Sequence, residues 1–329
     1  MKLYKREKYL SRMRAFFHDD DLIKVITGIR RCGKSSLMET IAEELKEGGV
    51  AESNIIYLDL DKRGFKSIRN AEQLESLIES PTQIKGMKYL FIDEIQNVEG
   101  FEEVINGFRS EGDYSIFITG SNSYLLGGEL VTKLTGRYLE FEMYPLTFDE
   151  YEDMKKFYGK DINPNSEIEL NNYILEGGFP RAIQIDSLSD KRTYVRGIID
   201  EIFEKDIKRR VKVRDVQSFE LVRNYIINNF GATTSINSLH EALIKNGMVI
   251  SRATVTRYIK ILIDAKILYE CKRFDMKSKK ALSGEQKYYI ADLSFYYALN
   301  TDNRINYGPA LENIVYLYTK SLDYAVSVG

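Results

Sequence analysis

Two cysteines in 329 residues, Cys32 and Cys271, are too few and too far apart for a disulfide framework or a thiolate metal site. Nor does any apolar run approach the roughly 20 residues that span a bilayer. The N-terminus is basic (Met1-Lys2-Leu3-Tyr4-Lys5-Arg6) and has no apolar segment behind it. Neither secretion nor a membrane partner is therefore expected, and a reducing cytoplasm is the expected compartment. What the chain does have is an ordinary globular composition, 43% hydrophobic and 29% charged, at a length suited to two or three domains. Its net charge of −2 hides an asymmetry. From Asp190 to Ile290, 21 Lys and Arg face 12 Asp and Glu, a local charge of +9 that leaves −11 elsewhere. Such a segment either favours an acidic partner such as nucleic acid or forms a solvated face.

Gly28-Ile29-Arg30-Arg31-Cys32-Gly33-Lys34-Ser35 fits the pattern G-x-x-x-x-G-K-[ST] at every fixed position. In that pattern the glycines let backbone amides wrap a phosphate, the lysine reaches the β and γ phosphates, and the hydroxyl is offered to Mg²⁺. The nucleotide-binding set is then Gly28, Ile29, Arg30, Arg31, Cys32, Gly33, Lys34, Ser35 and Ser36, with ATP and Mg as ligands. Arg30 and Arg31 have no fixed role in the pattern: they either add charge near the phosphates or face solvent. The context agrees with the motif. Leu22 to Thr27 reads as a buried parallel strand, and Leu37, Ile41, Ala42 and Leu45 recur at helical spacing before the Gly48-Gly49 stop.

Further strands are expected at Asn54 to Leu60, Tyr89 to Ile92, Ser115 to Thr119 and Tyr138 to Glu142. The second of these runs into Asp93-Glu94, the apolar-then-acidic pattern in which the first acid helps hold Mg²⁺. Asp93 takes that role with Ser35. Glu94 then orients the attacking water, alongside Lys34 in the catalytic set. In an open parallel sheet, ligands bind beyond the carboxyl ends of the strands. The third strand ends in Gly120-Ser121-Asn122, so Ser121 is the favoured polar sensor, with a helix N-cap as its plain alternative. Arg137, just before the last strand, either stabilises transition-state charge, within the chain or across to a neighbouring subunit, or is an ordinary surface arginine.

With these residues in place the chain resembles the bacterial and archaeal AAA-type ATPases that carry an AAA-14 domain and a DUF4143 C-terminal region. The resemblance rests on Gly28 to Ser35, Phe91-Ile92-Asp93-Glu94-Ile95-Gln96, Thr119-Gly120-Ser121, Leu134-Thr135-Gly136-Arg137, Tyr144-Pro145-Leu146-Thr147-Phe148 and Gly177-Gly178-Phe179-Pro180. It implies an additional-strand sheet, with the sensor strand between the phosphate-loop strand and the strand of Asp93. It also implies a lid motif at Gly177 to Pro180 that suits packing against adenine, although a helix-terminating turn explains the same residues. The family's nuclease-like end is nearly absent here, so the chain is expected to be a truncated member or its end a docking appendage, and nuclease activity is not carried over.

Beyond Asp200 comes a basic connector with Lys205, Lys208, Arg209, Arg210, Lys212 and Arg214. Three helical patterns follow (Ser218 to Phe230, Ile236 to Asn246, and one opening at Ser251), then a basic hairpin, the order of a winged helix. The third helix places Val255, Tyr258, Ile259 and Leu262 on one face and Arg252, Thr256, Arg257 and Lys260 on the other. With Lys279 and Lys280 of the wing, these four are the candidate DNA contacts. The expected fold is thus α/β, a P-loop NTPase (AAA/ASCE) parallel sheet sandwiched by helices, followed by a helical lid and a winged-helix domain. The expected boundaries are 1–145 for the ATPase core, 146–215 for lid and connector, 216–300 for the winged helix and 301–329 for an incomplete C-terminal region. The expected function is Mg-dependent ATP hydrolysis coupled to a winged helix that contacts DNA or a protein partner, with an oligomer allowed. An ATP-gated switch with little turnover and a DNA-binding regulator with a vestigial nucleotide site are the alternatives.

Overall fold

A computed structural model describes residues 3–80, 85–120, 134–208, 213, 215–275, 280–300 and 304–328; of residues 275 and 280–284 it describes the backbone alone. The chain divides into two compact units, Met1–Gly28 with Gly33–Met143, and Ile29–Cys32 with Tyr144–Gly329. No helix among the described residues is long and apolar enough to cross a membrane.

In the first unit, α1 (Glu7–Met13) precedes β1 (Ile23–Gly28), α2 (Lys34–Glu47), β2 (Ile55–Asp59), α3 (Ala71–Glu79), β3 (Lys88–Asp93), α4 (Phe101–Glu111), β4 (Tyr114–Thr119) and β5 (Tyr138–Met143). The five strands form one sheet in the order β2-β3-β4-β1-β5, every pair parallel. This is the expected α/β sheet, with β4 between β1 and β3 as the resemblance implied. Strands buried on both faces need apolar residues at consecutive positions, and all six residues of β1 and of β4 are buried. On one face Ile23, Val25, Leu90, Ile92, Ile116 and Ile118 pack with Leu74 and Ile78 of α3 and Phe101 and Ile105 of α4. Each such aliphatic side chain contributes about 1.5–3 kcal/mol of burial. On the alternate positions Phe91 stacks on Phe117 with ring centroids 4.7 Å apart.

Lys24 interrupts the apolar run of β1 yet is fully buried. Its ammonium donates to Asp19 O at 2.5 Å and Ser115 Oγ at 2.9 Å and lies over the Phe117 ring. Burial pulls its pKa down to about 8, against the raising influence of Asp19 and Asp20.

The second unit holds α5 (Phe148–Phe157), α6 (Ser166–Glu176), α7 (Leu188–Glu201), a π-helical turn (Ile202–Ile207), α8 (Val216–Asn228), β6 (Thr233–Thr234), α9 (Ile236–Lys245), α10 (Arg252–Asp264), β7 (Leu268–Asp275), β8 (Lys280–Ile290), α11 (Ser294–Leu299) and α12 (Tyr307–Ser321). β6, β8 and β7 make an antiparallel sheet in that order. A capping box between Thr147 and Glu150 starts α5, and Ser251 caps α10 by accepting from Thr254 N. On α8, Phe219, Val222 and Ile226 are buried, and Phe219 meets Tyr258 of α10 edge-on at 5.2 Å.

Gly177 ends α6 with φ +79, and a Cβ there would stand 2.0 Å from Asp292 Oδ1; one on Gly178 would stand 2.4 Å from Leu146 O. Only glycine permits this approach, so the Gly-Gly pair has a structural reason within its own unit. The Asp292 carboxylate accepts from Gly178 N at 2.7 Å and Ser294 N at 2.9 Å. Burial pushes its pKa up to about 6 despite these hydrogen bonds.

The C-terminal residues do not stand apart from this unit. Asn313 of α12 exchanges two 2.9 Å hydrogen bonds with the Ile290 backbone, Tyr316 stacks on Tyr289 at 4.1 Å, and Val328 bridges to Arg273.

Candidate functional site

β1, β3 and β4 end side by side, with Ile26 opposite Thr119 and Ile92 opposite Ile118. Their carboxyl ends carry the loop after Gly28, the Asp93-Glu94 pair and the Thr119 hydroxyl. The loop needs two left-handed glycines, Gly28 at φ +138 and Gly33 at φ +108, and the second of these caps α2. α2 thus begins at Lys34 with its N-terminal amides and positive dipole end directed at the loop. Lys34 is buried and donates from Nζ to Gly28 O at 2.9 Å, folding its charge back across the loop. Ile29 and Cys32 are fully buried, which leaves the loop's backbone rather than those side chains to meet a ligand.

Asp93 is 3% exposed. Thr119 Oγ1 donates a short hydrogen bond to Asp93 Oδ1 and accepts the Glu94 N–H at 3.1 Å. Asp93 Oδ2 takes no hydrogen bond among the described residues, so one carboxylate oxygen stays open. Glu94 lies in the left-handed region at φ +57, a conformation that costs a non-glycine residue about 1–3 kcal/mol and clusters at functional sites. Its Oε2 accepts a short bond from Gln96 Nε2. The Gln96 Oε1 is buried without a partner among the described residues. Tyr57, in the middle of β2, donates to Ser35 O at 3.4 Å. Its hydroxyl is held well above the usual tyrosine range by burial and then by Asp93, Glu39 and Asp59, so this corner of the site is acidic.

Asp93 Oδ2 and the Ser35 hydroxyl are oxygen donors of the kind Mg²⁺ takes, the cation using few protein ligands and sharing the rest with phosphate and water.

Residues 20–152 match the family described as an AAA domain (AAA_14). An uncharacterized protein of Haemophilus influenzae is 34% identical over 328 residues, covering 98% of this chain and 80% of that protein. The chain belongs to the AAA_14 family. An uncharacterized Methanocaldococcus jannaschii protein is 32% identical, and the AAA_14 chain spans 66% of its length. Among solved structures, a Walker-type ATPase of Pyrococcus abyssi shares the fold at a TM-score of 0.61 and 17% identity, covering 90% of this chain and 96% of that one. The expected DUF4143 region is not what matches. Residues 167–305 of this AAA_14 protein match a domain of unknown function, DUF8612.

Several expected site residues fall elsewhere than the loop. Ser121, with Asn122, lies outside the described residues; among the described residues Thr119 is the polar residue that ends β4. Arg137 stands at the opposite end of the sheet. Ile23 N donates to Arg137 O, while Met143 at the far end of β5 pairs with Gly28, about 16 Å away at the strand rise. Arg137 instead donates to Asn106 Oδ1 at 3.2 Å, and a role at this chain's own loop is ruled out by the parallel register.

Arg252, Thr256, Arg257 and Lys260 are all exposed along α10, opposite its buried Val255, Tyr258, Ile259 and Leu262. Lys279 lies outside the described residues, as do Arg209, Arg210, Lys212 and Arg214, and Lys280 begins β8. Arg181 is exposed and donates to Gln184.

Arg30 is largely buried and Arg31 is exposed, and both are ion-paired. Arg30 Nε and Nη2 meet the Asp206 carboxylate at 2.8 and 2.9 Å, and Arg31 Nε meets Glu201 at 3.0 Å. Sequence reading missed these acids, and it missed Thr119 and Gln96 as partners of the acidic pair. Gln96 alone had a local signal, lying two residues after Glu94.

Proposed function

We propose that this AAA_14 protein binds ATP at the Gly28–Ser35 loop, with Ser36 at its helical end, and hydrolyses it. The observation that carries this reading is Thr119, whose hydroxyl joins Asp93 and Glu94 beside the phosphate-binding loop. Lys34 and the loop amides hold the phosphates, and Ser35 and Asp93 Oδ2 hold the metal. Mg²⁺, when bound, neutralises charge on the β and γ oxygens. Glu94, fixed by its backbone bond to Thr119, orients the water and takes its proton, while the orphan Gln96 Oε1 accepts a hydrogen bond from the same water. Positioning and electrostatics, with little covalent chemistry, supply the rate. Arg137 then serves only across to a neighbouring subunit, where it stabilises charge on that subunit's phosphates.

The nucleotide state is read out by residues 216–300, which we take as a winged helix, with residues 146–215 as lid and connector. The exposed cations of α10 support contact with duplex DNA, to which we propose Lys279 and Lys280 add, while a protein partner is the other occupant of that face. The test is equilibrium titration with a fluorescent ATP analogue and Mg²⁺. Saturable binding that weakens about tenfold or more in Lys34→Ala is expected, and equal affinity in both proteins contradicts the reading.

One observation favours a second reading, a slow switch. Gln96 engages the Glu94 carboxylate and holds it against use as a base. A switch requires different partner affinities in the ATP and ADP states, and identical DNA affinity in both states removes it.

A further inference from the structure

A phosphate-binding loop works through its backbone, so whatever fixes that backbone sets its affinity. In this loop the two glycines free the ends, and the middle carries two arginines whose charges are already matched. The Arg30 guanidinium forms a two-pronged fork with Asp206, both side chains nearly buried at 11% and 8% exposure. Its remaining nitrogen stands 3.6 Å from Glu201, which also takes Arg31 at 3.0 Å and Lys205 at 2.9 Å. Arg31 sits at φ +68, a conformation a long side chain adopts only when its surroundings hold it there.

The helix that presents these acids is itself irregular at that point. Glu201 and Asp206 are five residues apart, so on a regular α-helix they diverge by about 140° and do not face one partner. The turn Ile202–Ile207 is π-helical, with Lys208 N donating to Phe203 O, five residues back. That wider turn carries Asp206 round toward Glu201, and both carboxylates then reach adjacent loop arginines. π turns are rare and concentrate at functional sites; here the irregularity is what lets one helix grip two consecutive loop residues.

We infer that Asp206, supported by Glu201, is a positioning residue for the phosphate loop: through Arg30 it holds residues 29–32 in the phosphate-receiving conformation and couples nucleotide occupancy to the turn Glu201–Ile207. This rests on the loop being a nucleotide site. The opposite assignment, carboxylates that compete with phosphate for the arginines, predicts the opposite sign. Coupling of this kind is reciprocal: if the ion pair favours bound nucleotide, bound nucleotide strengthens the ion pair.

The test uses the full chain and a fluorescent ATP analogue with Mg²⁺. Asp206→Asn is expected to weaken binding about tenfold or more, and the charge exchange Arg30→Asp with Asp206→Arg to recover most of that affinity. If the wild type binds no nucleotide, the nucleotide reading itself falls. If the wild type binds and Asp206→Asn binds equally or more tightly, the positioning role alone is overturned. Should the variants fold poorly, hydrogen exchange on the wild type decides: amides of 201–207 gain protection when nucleotide is added, and unchanged exchange there overturns the coupling.

Discussion

Thr119 donates a hydrogen bond from its hydroxyl to Asp93 Oδ1 and, with the same oxygen, accepts the backbone N–H of Glu94. One fully buried side chain on β4 thereby fixes both acids at the end of β3. The two acids are thus linked through a residue of the neighbouring strand.

Replacing Thr119 by Val keeps the shape and removes the hydroxyl. ATP turnover is expected to fall about 10- to 100-fold, because small displacements of positioned groups cost that much. Folding stability should fall by about 1–3 kcal/mol, since the Glu94 N–H is left without its partner. Phosphate release and denaturant unfolding measure the two effects separately. Turnover that survives intact in a folded Thr119→Val protein would show that Asp93 and Glu94 need no such link.

Much of this site was legible in the sequence, and the limits have physical causes. The loop, the Asp93-Glu94 strand end and the α10 division into buried and exposed faces were readable because each is local: a motif, a strand tip, a period of 3.6. The strand order was not periodic information and came only with family resemblance. Thr119 carried no signal of its own, because a strand tip offers several polar residues and its bond is to Asp93, 26 positions away. The arginine anchors were illegible for the same reason on a larger scale. Asp206 is 176 residues from Arg30, and no pattern announces a π turn.

Asp292 makes a pH prediction for the second unit. Its carboxyl has an ordinary value of 3.8 and a folded value of about 6. Between these the native state retains a proton that the unfolded chain has lost, so this group makes stability decline as pH rises through the window. Asn has no proton to lose. The stability of Asp292→Asn relative to wild type should therefore improve as pH rises from about 4 to about 6, by at most about 3 kcal/mol. Thermal unfolding across that range checks it, and a difference that does not vary with pH would contradict it.

The exposed cations of α10 make a prediction about DNA. Each phosphate that the protein no longer neutralises takes about 0.9 off the slope of log affinity against log salt. The triple variant Arg252→Ala, Arg257→Ala, Lys260→Ala should lower that slope by up to about 3 and weaken binding to unrelated duplexes alike. Anisotropy titrations at several salt concentrations measure this. An unchanged slope would assign the face to a protein partner.

Single-turnover hydrolysis of ATP by wild type and Glu94→Gln asks whether the loop and the two acids form one hydrolytic site. The variant keeps the side-chain shape and loses the base. It should bind Mg-ATP with nearly wild-type affinity while converting it to ADP at least about 100-fold more slowly. Conversion at the wild-type rate by a folded, ATP-bound Glu94→Gln protein would contradict the account.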